Sequence, residues 1–543
     1  MTAAGGGPAQ TVQPPAAVLP VLPLRIERLV LTDFRAFPGP APTEIVLGGK
    51  NLLIYGENGA GKTSIFHALR EFFSLKPQRK LPWYENVFST VPDGSVSVEL
   101  LFNDQQAPAK WFVTPLGGSP QGRFAANSVV IGGATFAEFH PATVKGATDQ
   151  RVVQAALRRA CLDYRSLLET NYRHGDEAVD LFEIAVSMLL ADYDYTPPGG
   201  VPVKLRDLWA RVQGNLHGVA FREDKHTAMI VSACQIFNGA MQEALTKLQP
   251  VINDMLVSLK RPELQLLKLT YTSVGPKAAR LRRDRGLNGG TLRPAVSYRG
   301  YDPATPQTFL NEARLSALAL AIYLAGRLAC TPAADAQSLK LLVLDDVLIG
   351  LDHANRMPVL DVLRDHFADW QVVLLTHDIE WFNLSRKYLG EDEWNCIEVF
   401  EGNQESDAPI PIVRKVQNRP SKQHIQLAKQ FLGQKHIEAA ANHTRKALEA
   451  CLLGGMEFQG IRAPFKQDYK DLKLDDLLSL VEGWAKEDDK RKSVATLLAK
   501  VRLHKDVVMN PYSHSGAPNI PESEVKLSND VVEKLILELG KKY

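Results

Sequence analysis

The stretch NLLIYGENGAGKTSIFHALREFF, residues 51–73, decides the fold. Residues 51–55 are an apolar run of strand length, and from residue 62 onward apolar side chains return at helical spacing. Between them Gly56, Glu57, Asn58, Gly59, Ala60, Gly61, Lys62 and Thr63 match GxxxxGK[ST], with Ser64 next in line. In this pattern glycines let the backbone curl until its N–H groups face phosphate oxygens. The lysine reaches the β- and γ-phosphates, the threonine hydroxyl is a Mg²⁺ ligand, and the helix start adds a favourable dipole. A strand before and a helix after are the context the pattern requires. ATP and Mg²⁺ are therefore the expected cofactors, and Gly56 through Ser64 the expected cofactor-binding residues.

Working outward, the next informative run is LLVLDD, residues 341–346. A buried strand ending in carboxylates is the usual partner of a phosphate loop. Asp345 is expected to hold the Mg²⁺ alongside Thr63, and Asp346 stands where a general base or water-orienting carboxylate belongs. Gly350, Leu351 and Asp352 follow at once. Another apolar strand, WQVVLLTHD, ends in His377, a second candidate catalytic residue chosen for its place at a strand end after the acids. Strands and helices alternating in this order predict an α/β fold with a parallel sheet.

These residues resemble the ABC-type ATPase heads of the SMC and RecF-like group. RIERLVLTDFRAF, residues 25–37, looks like that group's first strand and its "nFRxF" segment, and GENGAGKT like its phosphate loop. The resemblance covers about residues 24–103 and 305–400. It implies a head in which a long helical insertion separates Lys62 from Asp345, unlike the compact layout of small GTPases and simple kinases. It also implies that Asp352 lies in a D-loop, that His377 is a switch histidine near the γ-phosphate, and that a signature segment precedes a helix. The best match for that segment is LNEARLSALALAIYLA from Leu310, where Asn311 takes a serine position, Glu312 is retained and Ala313 replaces a glycine. In the group this segment meets the γ-phosphate held by the opposite protomer, so an ATP-dependent homodimer, or a larger oligomer, is implied. Asp346 stands where glutamate is usual, and the shorter side chain implies slow turnover.

The rest of the chain frames this head. Residues 1–23 carry no charged side chain and read as a flexible tail. Residues 24–150 and 263–401 are expected to be the two lobes of the head. Residues 151–262 form an inserted helical arm, with helices expected over 152–168, 181–190, 205–216 and 228–259; the last would be about 48 Å long at 1.5 Å per residue. Residues 402–421 read as a linker and 422–543 as a mainly α-helical C-terminal domain. The basic run Lys277, Arg280, Arg282, Arg283 and Arg285 is a candidate contact for nucleic-acid phosphates, double-stranded DNA foremost, or a solvated turn.

Composition excludes some classes. Lys and Arg number 63 against 61 Asp and Glu, a net charge of +2, which excludes a polybasic coat protein or an acidic tail protein. Five scattered cysteines without a CxxC pair argue against a disulfide scaffold or a cysteine zinc site. The longest apolar stretch is too short to span a bilayer, so a cytoplasmic location without membrane contact is expected.

The C-terminal block looks in part like helices of the HEPN group, whose members include RNases. His514 has no arginine at the spacing of that group's R-x4–6-H motif, and Asn510, Pro511 and His514 are expected to form a helix-terminating turn. The functional expectation is an ATPase acting as a nucleic-acid sensor or switch in antiviral defence, with an effector nuclease or toxin as possible partner. The alternatives are an ATPase-gated toxin whose C-terminal domain cleaves RNA, and a DNA repair or recombination ATPase.

Overall fold

The computed structural model describes residues 23–75, 86, 88, 96–115, 127–131, 134–143, 148–156, 161–163, 179–217, 224–277, 286–331, 338–348, 351, 353–390, 392–402, 410–416, 420–463, 473–511 and 521–543. The chain divides into two compact units, residues 1–413 and 414–543.

In the first unit the apolar runs that alternate poorly become strands buried on both faces, as parallel strands must be. Leu341–Asp345 and Gln371–Thr376 are buried along their whole length. The sheet order is Ile412–Val416, Trp394–Phe400, Asn51–Gly56, Gln371–Thr376, Leu341–Asp345, Cys161–Asp163. Pairing is parallel from Trp394–Phe400 through Cys161–Asp163. The register sets Val399 beside Gly56, Tyr55 beside Thr376, and Leu375 beside Asp345. The phosphate loop, the acidic pair and His377 thus all leave the same edge of one sheet. That edge, the carboxyl ends of the strands, is where α/β sheets bind ligands.

A second sheet, antiparallel, runs Thr43–Val46, Ile26–Thr32, Ser97–Phe102, Ala109–Pro115, Ala134–Phe139, Asn127–Ile131. The helix Lys62–Phe72 buries Ile65, Phe66, Leu69 and Phe72, and these share one core with Leu29, Leu31, Val98 and Trp111 of the antiparallel sheet and Leu341 and Val343 of the parallel one. Buried amides tie the two sheets. The Gln371 side chain accepts from the Ile26 N–H (2.7 Å) and donates to the carbonyls of Ile26 (2.9 Å) and Lys50 (2.8 Å). Each of the two buried Ile26 backbone groups would otherwise cost about 1–3 kcal/mol unpaired.

Helical structure in the middle departs from the sequence pattern in two places. The helix expected over 152–168 is a short one, Gln150–Ala156, and Cys161–Asp163 is instead a strand paired with Val343–Asp345. The parallel sheet therefore continues past residue 150, where the first lobe was expected to end. The stretch expected to be one helix over 181–190 is one α-turn, Phe182–Ile184, followed by a π-helical turn, Ala185–Leu189. Buried Arg327 donates to the carbonyls of Met188 and Leu189 there. Asp224–Ser258 is a 35-residue helix whose buried face (Ile230, Cys234, Phe237, Met241, Leu245, Leu248, Ile252, Met255) repeats at three and four residues. It packs on the helices Leu205–His217 and Glu312–Ala329 and the strand Leu264–Thr272. Gly275–Lys277 pairs with Gly286–Asn288; Lys277 is exposed, and Arg280, Arg282, Arg283 and Arg285 lie outside the described residues.

The second unit is helical: Pro420–Gly433, Ile437–Gln459, Leu474–Lys486, Lys492–His504 and Glu522–Leu539. Leu448, Leu452, Leu478, Val481, Leu498, Val501, Val532 and Leu535 form its core. Among the described residues, no helix is long and apolar enough to cross a membrane.

Candidate functional site

The phosphate loop is shaped by its glycines. Gly61 precedes the helix at φ +106, in the left-handed region that L side chains rarely adopt. A Cβ on Gly56 would lie 2.7 Å from the Val399 carbonyl oxygen and 3.0 Å from Cγ of Lys62, so only glycine lets this strand end pass its neighbour. The helix Lys62–Phe72 has no side-chain cap at Gly61 and no acid in its first turn. Its start therefore keeps the partial positive charge that favours a phosphate. Thr63 is exposed there, while Lys62 and Ser64 are buried. The Lys62 ammonium donates to the carbonyls of Gly56 and Glu57, the latter at 3.1 Å. Burial lowers its pKa, and the charges of Asp346, Asp345 and Glu57 oppose that shift. An ammonium held by two loop carbonyls at a glycine cradle suits the β/γ-phosphates of a nucleotide.

Asp345 is buried at the end of its strand; Asp346, next along, adopts φ +51. Aspartate tolerates that conformation better than longer side chains do. The turn redirects Asp346 toward His377 on the adjacent strand end. Asp346 Oδ1 accepts from the His377 backbone N–H (3.1 Å) and lies 2.9 Å from His377 Nδ1. With Nδ1 as donor, Nε2 is left as the acceptor of a half-exposed imidazole. The spacing of the sequence put both residues near the phosphates; it gave no sign of this direct contact.

Other expected residues are placed elsewhere or not at all. Asn311 N-caps the helix Glu312–Ala329, its side chain accepting from the Arg314 N–H at 3.1 Å, and both Asn311 and Glu312 are exposed. Among the described residues no hydrogen bond or ion pair joins them to the phosphate loop. Asp352 lies outside the described residues; Leu351 beside it is buried. Ser64 follows Thr63 in the first turn of the helix, and its hydroxyl accepts from the Ala36 N–H at 3.4 Å.

Arg35 escaped the sequence reading. Asp33 and Arg35 both adopt positive φ, and Phe34 and Phe37 plug the core on either side of Arg35. This turns Arg35 and Ala36 toward a cavity of about 200 Å³ beside Gly59 and Ala60, which Phe88, Glu401 and Pro411 help to line. The available signal was the FRAF segment itself, an arginine set between two phenylalanines that are both buried. A larger cleft of about 390 Å³, lined by Arg25, Lys50, Asn51, Arg364, Tyr388 and Trp394, lies at the opposite ends of the same strands, away from the phosphate loop.

Thr63 hydroxyl and Asp345 carboxylate oxygens are the hard donors Mg²⁺ prefers, and Mg²⁺ takes its remaining ligands from phosphate and water. The residues present therefore fit ATP with Mg²⁺.

The profile of a family described as an AAA domain matches residues 28–86. No curated protein matches the sequence. Among solved structures, the chain is similar to an SMC head bound to the C-winged helix domain of ScpA, at 12% identity and TM-score 0.37, covering 74% of this chain and 99% of that one. It is similar to the SMC head domain from Thermotoga maritima at 15% identity and TM-score 0.32, covering 72% and 99%. It is also similar to the recombination mediator RecF with ATP, at 13% identity and TM-score 0.43, covering 73% and 99%.

In the second unit, Asn510 closes the π-helical turn Lys505–Met509, and its Oδ1 accepts from Arg445 Nη1 at 2.8 Å. His514 lies outside the described residues.

Proposed function

We propose that this protein is an SMC/RecF-like ATPase with an ABC-type head that binds ATP, hydrolyses it slowly and closes into a homodimer on it. One observation carries the proposal: three adjacent parallel strands deliver the phosphate loop, the acidic pair and His377 to one edge, with Lys62 under the charge of Asp345 and Asp346. In this reading Gly56 through Thr63 and the start of the following helix hold the triphosphate. Lys62 neutralises the β/γ-phosphates, and Thr63 and Asp345 hold Mg²⁺. The ion, when bound, draws charge from the phosphoryl oxygens. Asp346 fixes the imidazole of His377, whose Nε2 contacts the γ-phosphate or its attacking water. The cavity beside Arg35 takes the rest of the nucleotide.

Asn311 and Glu312 sit at an exposed helix start on a separate element. That supports a composite site in which they serve the nucleotide of a second copy. The basic run near Lys277 supports contact with nucleic acid, and the proposal extends to a sensor or switch in antiviral defence with an effector partner. DNA repair is a second setting for the same head. An RNase in residues 422–543, gated by the head, is the remaining alternative.

The test is direct. Lys62→Ala is expected to abolish binding of a fluorescent ATP analogue in a chain that still folds. Wild-type binding and hydrolysis by Lys62→Ala would overturn the assignment.

A further inference from the structure

Arg356, at the start of the helix His353–His366, reaches two segments at once. Its Nε donates to the Leu351 carbonyl at 2.6 Å, in the turn that follows the acidic pair. Its Nη1 donates to Asp378 Oδ2. The other oxygen of Asp378 accepts from the N–H groups of Glu380 and Trp381, both at 3.0 Å, and so caps the helix Ile379–Tyr388. Asp378 directly follows His377. Both partners of the ion pair are mostly buried, with side chains 16% and 20% exposed, so solvent screens it weakly.

A capping aspartate paired with a neighbouring arginine would ordinarily be local stability and nothing more. The Leu351 carbonyl makes the difference. One side chain thereby ties Leu351, just beyond the acidic pair, to Asp378, just beyond His377. The guanidinium suits this because its N–H donors are held in one rigid plane and address two acceptors in fixed relation. Asp346 meets His377 on one side, and Arg356 closes the loop on the other, from Leu351 back to Asp378.

We propose that Arg356 is a positioning residue: it holds Leu351 and the His377–Asp378 segment as one body, so that hydrolysis, not nucleotide binding, depends on it. The proposal rests on the nucleotide-site reading above and adds to it a residue that touches no nucleotide.

The experiment has two arms. Amide hydrogen exchange, read without nucleotide, compares wild type with Arg356→Ala and Arg356→Lys. Arg356→Ala is expected to speed exchange both around residues 351–354 and around 378–381. Lysine has one terminal nitrogen, so Arg356→Lys is expected to keep the Asp378 contact and loosen only the 351–354 side. In the second arm, kcat of Arg356→Ala is expected to fall about 100-fold, the scale of a small misplacement of reacting groups, with the dissociation constant for ATP within about threefold of wild type. Arg356→Lys is expected to fall between, and it decides the matter if Arg356→Ala does not fold. Unchanged exchange at either segment in Arg356→Ala, or kcat within about twofold of wild type in a folded variant of either kind, overturns the proposal. Altered exchange in a chain whose wild type shows no Lys62-dependent hydrolysis leaves the link standing and overturns the nucleotide assignment instead.

Discussion

Replacing Asp346 by asparagine tests the chemistry of the strand edge most directly. The side chain keeps its size and its place at φ +51, and loses only its charge. Two hydrogen bonds converge on Asp346 Oδ1 from His377, one from the backbone N–H at 3.1 Å and one from Nδ1 at 2.9 Å. A hydrogen bond to a charged group is worth about 1.5–3 kcal/mol, and a neutral one about 0.5–1.5. The loss is therefore about 1–1.5 kcal/mol for the imidazole contact. Asp346 is 22% exposed, which trims the lower end only slightly. At 1.36 kcal/mol per tenfold, hydrolysis should fall about 5–13-fold through the weaker hold on the imidazole alone. If the carboxylate also takes the proton of the attacking water, general-base loss adds a further factor of about 100 or more. ATP binding should stay near wild type, because Lys62 and the loop are untouched. Phosphate release at saturating ATP, with equilibrium binding of a fluorescent analogue, measures both. Hydrolysis at the wild-type rate with intact binding would refute the role given to Asp346. Equal loss of binding and hydrolysis would show that the carboxylate organises the loop and not the reaction.

A composite site predicts complementation: mixing Lys62→Ala with Asn311→Ala chains, each inactive alone, should restore one working site per mixed dimer, and no recovery at any ratio would count against it. His140 is buried, its Nε2 2.8 Å from the Glu71 carbonyl oxygen, and burial lowers its pKa to about 4. The unfolded chain takes up that proton near pH 6.5, so this stability is present above pH 6.5 and is lost as the pH falls toward 4, by about 3 kcal/mol in all. His140→Gln should flatten that limb in urea unfolding at pH 7 and pH 4.5, and an unchanged acid sensitivity would refute the assignment. Replacing Arg280, Arg282, Arg283 and Arg285 by glutamate should remove sequence-tolerant DNA binding, whose logarithmic salt slope is about −0.9 per phosphate neutralised, and spare basal ATPase activity; equal binding at matched salt would place any DNA contact elsewhere.

Long apolar runs with strong boundaries were legible. Asn51–Gly56 and Leu341–Asp345 announce themselves because strands buried on both faces have no polar positions to blur them, and glycines or acids end them. The helix after Lys62 follows from its spacing. What escaped depends on partners distant in sequence. Cys161–Asp163 is a strand only because Val343–Asp345 offers it a free edge, and the helical spacing around it points the other way. The π-turn Ala185–Leu189 needs Arg327, some 140 positions on, to satisfy its carbonyls. Arg356 acts through where a helix start brings it and belongs to no spaced motif; Arg35 stands inside the FRAF segment, but the segment alone does not say that two positive φ angles turn it toward the loop. The Asp346–His377 contact requires the positive φ at Asp346, which no pattern of residue types announces.

The strand Gln371–Thr376 is pinned at both ends by different chemistry: the Gln371 amide is locked to Ile26 and Lys50 at its start, and His377 meets Asp346 just beyond its finish. Side chains alternate faces along a strand, so deleting or inserting one residue would turn every side chain between these two points to the other side. Either the amide would leave the first antiparallel strand or the histidine would leave the aspartate. The length of this segment is therefore as constrained as the identity of its end residues, and a chain built on the same plan should tolerate substitution among Val372–Leu375 far better than any change in their number.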